Sequence, residues 1–154
     1  MMKRCSDVLN ALEGRTLVTA ESLTGGGIGA ALTAVPGASA VYRGGVISYC
    51  DDVKHELLGV SRDTLNRYGA VSEHTALEMA KGVRGMLKAD VSVSVTGLAG
   101  PGGDEYGHDV GTVFIGYSSE RCDIVREYHF AGDRESVRQQ TIQAALELIL
   151  ENEA

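Results

Sequence analysis

The apolar run Thr16-Leu17-Val18-Thr19-Ala20 leads directly into Glu21-Ser22-Leu23-Thr24 and then into three consecutive glycines, Gly25-Gly26-Gly27. A buried strand that passes through a glycine-rich turn into a helix is a building unit of open α/β sheets. The segment from Ile28 to Val35 supplies the helix: Ile28, Ala31, Leu32 and Val35 recur at helical spacing, and Pro36-Gly37 ends them. Ser22 is therefore predicted at the carboxyl end of a strand, where such sheets bind ligands. Glycine lets a ligand approach the backbone, and the start of a helix offers unpaired N–H groups at the positive end of its dipole. A serine in this place serves either as a helix cap or phosphate cradle, or as a nucleophile, and the local pattern leaves both open. It is neither G-x-G-x-x-G with a distal acid, nor a P-loop, nor the G-x-S-x-G elbow.

Strand and helix patterns alternate along most of the remaining chain. Cys5 to Leu12 reads as a short amphipathic helix closed by Gly14, and Val41 to Tyr49 as an extended segment with a bend or bulge at Gly44-Gly45. Asp51 to Leu58 and Ser61 to Tyr68 read as short helices ended by Gly59 and Gly69, the second capped by Ser61. Ser72 caps a longer helix whose inner face carries Ala76, Met79, Ala80 and Val83. Val91 to Thr96 alternates strictly and predicts a strand, followed by a glycine-rich loop over Gly97 to Gly111. Thr112 to Tyr117 and Asp123 to Phe130, joined by the short Ser118 to Cys122, predict an antiparallel hairpin, and Asp133 to Leu150 a long closing helix. The order predicts one α/β domain over residues 1–154. Its architecture is expected to be a three-layer α/β/α sandwich with a mixed, mostly parallel sheet of about five strands.

The net charge of −7 and the absence of a Lys/Arg block argue against sequence-independent nucleic-acid binding, which needs a basic face. No apolar stretch approaches the ~20 residues of a membrane span, and the N-terminus lacks a signal-peptide core. The three cysteines, Cys5, Cys50 and Cys122, are far apart and predict reduced thiols in a cytoplasmic protein, with Cys50 a small buried thiol. His55, His74, His108 and His129 have no metal-ligand spacing, and His108 is expected to face solvent in the long loop.

Six segments, in order, carry a resemblance: Thr19-Ala20-Glu21-Ser22-Leu23-Thr24-Gly25-Gly26; Tyr49-Cys50-Asp51-Asp52-Val53-Lys54 with Leu57-Leu58-Gly59-Val60; Gly69-Ala70-Val71-Ser72-Glu73; Gly97-Leu98-Ala99-Gly100-Pro101-Gly102-Gly103; Val110-Gly111-Thr112-Val113; and Gly132-Asp133-Arg134-Glu135-Ser136-Val137-Arg138. The set resembles the CinA C-terminal domain family, in its stand-alone form. Active members of that family are nicotinamide mononucleotide (NMN) amidases. The resemblance implies an α/β/α sandwich that hydrolyses the carboxamide of NMN to nicotinic acid mononucleotide and ammonia, without metal or redox cofactor, as a dimer or larger assembly. By motif position it implies Ser22 as nucleophile, Lys54 as base and Tyr49 as their orienting or proton-relaying partner.

An amide hydrolase needs those roles plus an oxyanion stabiliser. The backbone at Thr24, Gly25 and Gly26 and at Gly97, Ala99 and Gly100 could hold the oxyanion or the phosphate. Arg134 is the candidate phosphate partner, and for Arg134 and Arg138 alike the alternative is a structural ion pair with Asp or Glu. Lys54 is either a solvated surface residue or a base; as a base it must be made neutral by burial or by the first turn of a helix. The chain departs from active relatives at Cys50-Asp51, where those have Ser-Asn, and at His108-Asp109, where those have Lys-Pro. Asp51 is expected to raise the Lys54 pKa, and the second change to weaken anion binding.

Overall fold

The computed structural model describes residues 1–153. In chain order the elements are α1 (Met2–Ala11), β1 (Leu17–Glu21), α2 (Gly27–Thr33), β2 (Tyr42–Ile47), α3 (Asp51–Glu56), α4 (Arg62–Tyr68), α5 (Glu73–Met86), β3 (Val91–Gly97), β4 (Thr112–Ser119), β5 (Asp123–His129) and α6 (Arg134–Glu153). The five strands form one sheet in the order β2-β1-β3-β4-β5. β1 pairs parallel with β2 and β3, whereas β3–β4 and β4–β5 are antiparallel. By direction the sheet is thus mostly parallel, with β4 alone reversed, although its ladders divide evenly between the two kinds.

Helices cover both faces. Residues of α1, α2 and α6 pack with Leu17, Val91, Val93 and Val95 in the larger core, and Val18, Ala20, Met79 and Val83 pack with the α3–α4 segment on the other side. This burial of both faces changes the meaning of the alternation in β3. Its serines do not face water: Ser92 and Ser94 each donate to a carbonyl of α5, Ala80 and Ala76, at 2.6 Å, and Thr96 donates to Ala70 O at 2.7 Å. Every hydroxyl of that face thus has an acceptor, the condition for burying it.

The expected caps are present, Ser61 accepting from Thr64 N and Ser72 from Thr75 N. A bulge is present one residue before the expected Gly44-Gly45: Leu17 pairs with Tyr42 but Val18 with Gly44, so Arg43 is the extra residue and both glycines are in register. α1 begins a few residues earlier than its apolar pattern, because Lys3 and Arg4 are good helix formers. No helix among the described residues is long and apolar enough to cross a membrane.

The sheet order positions the site. β2 and β3 flank β1 on opposite sides, so the chain segments leaving β1 and β3 diverge at their carboxyl ends. This is the crevice where open α/β sheets take ligands.

Candidate active site

A cleft of about 580 Å³ opens at this crevice. Ser22 and Leu23 enter it from the end of β1, Tyr49, Asp51 and Lys54 from the end of β2, and Gly97 to Gly100 from the end of β3.

Ser22 is held in a tight turn. Its amide donates to Val95 O at 3.1 Å, extending the β1–β3 ladder, and Gly25 N closes back onto Ser22 O at 3.0 Å. The turn requires Gly25 (φ +59°) and Gly26 (φ +99°) in the left-handed region, which glycine enters at little cost. Arg138 on α6 clamps the turn from outside, donating to Leu23 O at 3.0 Å and Thr24 O at 3.2 Å. Its remaining partner is Glu135 at 3.5 Å. Arg138 is thus a structural clamp and lies outside the cleft.

Lys54 is the fourth residue of α3. Helical side chains tilt toward the N-terminus, which sends this one back toward the strand ends. It is 1% exposed. Nζ donates to Ser48 O at 2.7 Å and to Ser22 Oγ at 3.1 Å. The solvated-lysine alternative is excluded. Burial holds the ammonium below its ordinary pKa, while Asp51 and then Cys50 push the other way and are outweighed. The expected help from the helix start is minor beside this, because α3 is only six residues long. Ser22 is 8% exposed, so the pair lies at the cleft floor.

Tyr49 reaches the cleft but not the pair. It is 60% exposed, and its hydroxyl accepts from Arg134 Nη2 at 2.9 Å while Arg134 Nη1 donates to Gly100 O at 2.7 Å. Instead of orienting Ser22 and Lys54, Tyr49 ties the β2 end to the long loop through Arg134. Tyr49→Phe is therefore expected to lower stability by only about 0.5–1.5 kcal/mol, the cost of one exposed hydrogen bond; paired thermal melts of the two proteins test this.

Gly97, Ala99, Gly100 and Arg134 line the cleft as expected, but Thr24, Gly25 and Gly26 do not. The reason is Glu21, which the sequence reading did not single out. Its buried carboxylate accepts from Thr24 Oγ1 at 2.7 Å, Ile28 N at 2.7 Å, Gly29 N at 3.0 Å and Thr19 Oγ1 at 3.2 Å. The anion expected at the start of α2 is the protein's own. A glutamate closing an otherwise uncharged, mostly apolar strand just before a glycine-led helix was the available signal, since such a charge needs a donor set.

The long loop is anchored across the cleft. Tyr106 donates its hydroxyl to Asn66 O at 3.0 Å and Leu65 O at 3.2 Å, and its ring occupies the space that a Cβ on Gly69 would fill. His108 is half-buried rather than solvent-facing, with Nδ1 at 2.8 Å from Asp104 Oδ2. Cys50, expected buried, is exposed, because it caps α3 at the rim. Among the described residues no group of three or more His, Cys, Asp or Glu could hold a metal ion.

The profile of the CinA C-terminal domain matches residues 1–152. A Clostridium tetani protein named for competence-damage inducibility is 42% identical over 154 residues, covering 96% of this chain and 38% of that protein. A CinA-like protein of Thermotoga neapolitana is 44% identical over 133 residues, 86% of this chain and 32% of its own length. The chain thus spans about a third to two fifths of these relatives. Among solved structures, the competence damage-inducible protein A of Klebsiella pneumoniae superposes with a TM-score of 0.95 at 36% identity, covering 97% of this chain and 94% of that one. The competence/damage inducible protein of Agrobacterium tumefaciens gives 0.94 at 36% identity, covering 97% and 93%. With the profile matched over nearly its whole length, the chain belongs to the CinA C-terminal domain family.

Proposed function

We propose that this domain is an amidase that hydrolyses the carboxamide of a pyridine nucleotide, NMN, through Ser22 and Lys54. The observation that carries this reading is the 3.1 Å contact between the Ser22 hydroxyl and a buried amine whose pKa is lowered. A serine hydroxyl is a weak nucleophile unless a base adjoins it, and a lysine serves as that base only when neutral. In that state the contact reverses, and Ser22 Oγ–H donates to Nζ. Oγ attacks the carboxamide carbon as its proton passes to Lys54.

The Leu23 amide, next to Ser22 on the cleft wall, makes no hydrogen bond within the described residues and is the candidate donor to the oxyanion. The Lys54 ammonium then protonates the amide nitrogen, ammonia leaves, and an acyl ester remains on Ser22. Water attacks the ester while Lys54 takes its proton and returns it to Ser22 Oγ. Throughout, the Ser48 carbonyl holds Nζ in place at 2.7 Å.

A second reading is a nucleotide-binding module without turnover. Asp51 favours it, because this carboxylate opposes the lowering of the Lys54 pKa. One experiment separates the two: incubation of the purified protein with NMN, measuring ammonia and mass-analysing the quenched protein. The amidase releases ammonia and yields a nicotinoyl-nucleotide adduct on the peptide containing Ser22. A raised melting temperature with NMN but no ammonia selects the binding module.

A further inference from the structure

Among the described residues, Ser48 Oγ is the one buried side-chain oxygen without a hydrogen-bond partner. Ser48 is wholly buried, and a buried hydroxyl in a native fold normally has a partner. The residue follows directly on β2, where its amide donates to Glu21 O at 2.8 Å and continues the ladder. Along an extended chain successive side chains change sides. Val46 packs into the core shared with α4 and α5, and Ile47 lies beside Gly26 at the start of α2. The alternation therefore returns Ser48 to the side of Val46. Lys54 comes from that same side: Val60, a member of that core, donates its amide to Lys54 O at 3.1 Å.

The Lys54 amine has the complementary deficit. Nζ bonds Ser48 O at 2.7 Å and Ser22 Oγ at 3.1 Å, and has no third partner among the described residues. A neutral amine carries two N–H bonds and an ammonium three. When Ser22 Oγ–H donates to the neutral amine, one N–H is left without an acceptor. When the ammonium donates to Ser22 Oγ, one N–H is again left over. At 1% exposure that hydrogen is denied bulk water. Nζ already touches the carbonyl of the residue whose hydroxyl is unpaired. A turn of Ser48 between staggered χ1 positions moves that oxygen without moving the backbone.

We propose that the Ser48 hydroxyl is the further acceptor of the Lys54 amine, so that one serine grips Nζ by its carbonyl and its side chain together. Ser48 is outside the cleft lining and acts through Lys54, so it is a positioning residue, and its part in turnover rests on the amidase reading above. Two acceptors on Ser48 hold two N–H bonds of the ammonium. The third is thereby aimed at Ser22 Oγ and the leaving amide nitrogen, in the geometry that proton transfer needs. A hydroxyl accepts more strongly from an ammonium than from an amine. Ser48 thus favours the charged form, alongside Asp51 and Cys50 and against burial.

Ser48→Ala removes the oxygen and leaves the packing nearly unchanged. Lys54 is titrated in the full chain by NMR of isotope-labelled lysine Cε, its signal identified by its loss in Lys54→Met. The alanine variant is expected to titrate lower by about one pH unit or more, the worth of one hydrogen bond to a charged group. The other charged and titratable groups around the amine are Asp51 and Cys50 at its own helix, Glu21 on β1, and Tyr49, Asp104, Glu105 and Arg134 in the cleft. All are the same in both proteins and drop out of the difference. The acid limb of kcat for ammonia release should move down by the same amount, and kcat above it should fall about threefold to tenfold at unchanged KM.

Stability gives a further readout. Relative to wild type, Ser48→Ala should lose melting temperature as the pH falls through the Lys54 titration, because the charged amine has lost an acceptor. A serine with only a structural role behaves differently. Removing its unpaired hydroxyl raises the melting temperature equally at every pH and leaves both the Lys54 titration and the pH profile in place. That result overturns the inference while the amidase reading stands. Absence of ammonia from either protein removes the amidase reading, and the Lys54 titration still decides whether Ser48 holds the amine.

Discussion

Replacing Lys54 with Met is expected to lower kcat for amide hydrolysis by on the order of 10^3-fold or more, because the variant has no base for the Ser22 proton. Methionine matches the aliphatic stem of lysine, so the cavity stays filled. The Ser48 carbonyl loses its donor, at about 1–3 kcal/mol, and relief from burying an amine offsets this. The melting temperature at neutral pH should therefore change little. Ser22→Ala should cost about as much activity, and the double variant scarcely more than either single one, since the two groups act as a unit. Full activity in Lys54→Met would remove the lysine from the mechanism.

The same amine sets two pH dependences. Activity should rise with pH through the lowered pKa, as Nζ becomes neutral. Stability should rise as well. Burial lowers the folded pKa below the ordinary 10.5, so between those values the unfolded chain binds more protons than the folded one. Relative to Lys54→Met, the wild type should lose melting temperature as the pH falls from about 10.5 to the folded pKa, and the difference should level off below it. Paired thermal melts across that range measure it.

Replacing Glu21 with Ala is expected to be the most damaging single change to the fold of the site. Its carboxylate receives four hydrogen bonds, from Thr19, Thr24, Ile28 and Gly29. Removing it orphans one buried backbone N–H, at Ile28, and one half-buried one, at Gly29, the buried one alone at about 1–3 kcal/mol. A loss of about 3 kcal/mol or more follows, or about 6–12 °C in melting temperature at this chain length. Glu21→Gln retains one acceptor oxygen but turns a donor toward donors, so it should fall between alanine and wild type. Because Glu21 directly precedes Ser22, both variants should also lower kcat by loosening the turn. A glutamine variant as stable as wild type would show that the charge itself is dispensable.

Local patterns were largely legible. Ser61 and Ser72 could be read as caps, the β4–β5 hairpin from its short connection, and the bulge in β2, to within one residue, from Gly44-Gly45, because each depends on residues a few positions apart. The Ser22–Lys54 pairing came from the resemblance, since lysine by itself is more often solvated. The phosphate cradle at Thr24 to Gly26 was misplaced for a physical reason. A helix start attracts any anion, and from the chain alone the ligand's phosphate and the neighbouring Glu21 are equivalent candidates. Tyr49 was assigned to Ser22 and Lys54, yet its hydroxyl meets Arg134, 85 residues away.

By itself the sequence determined which segments become strands and helices, and in what order, and which strand ends carry glycine, because periodicity and turn chemistry act over a few residues. Only the tertiary structure decided that β1 lies between β2 and β3, and that Lys54 folds back 32 residues onto Ser22 in a dry floor. It also decided that Glu21, rather than a ligand, satisfies the start of α2. Strand order and burial are global outcomes of packing, and the protonation of an amine follows the water it is denied, which no short stretch of chain encodes.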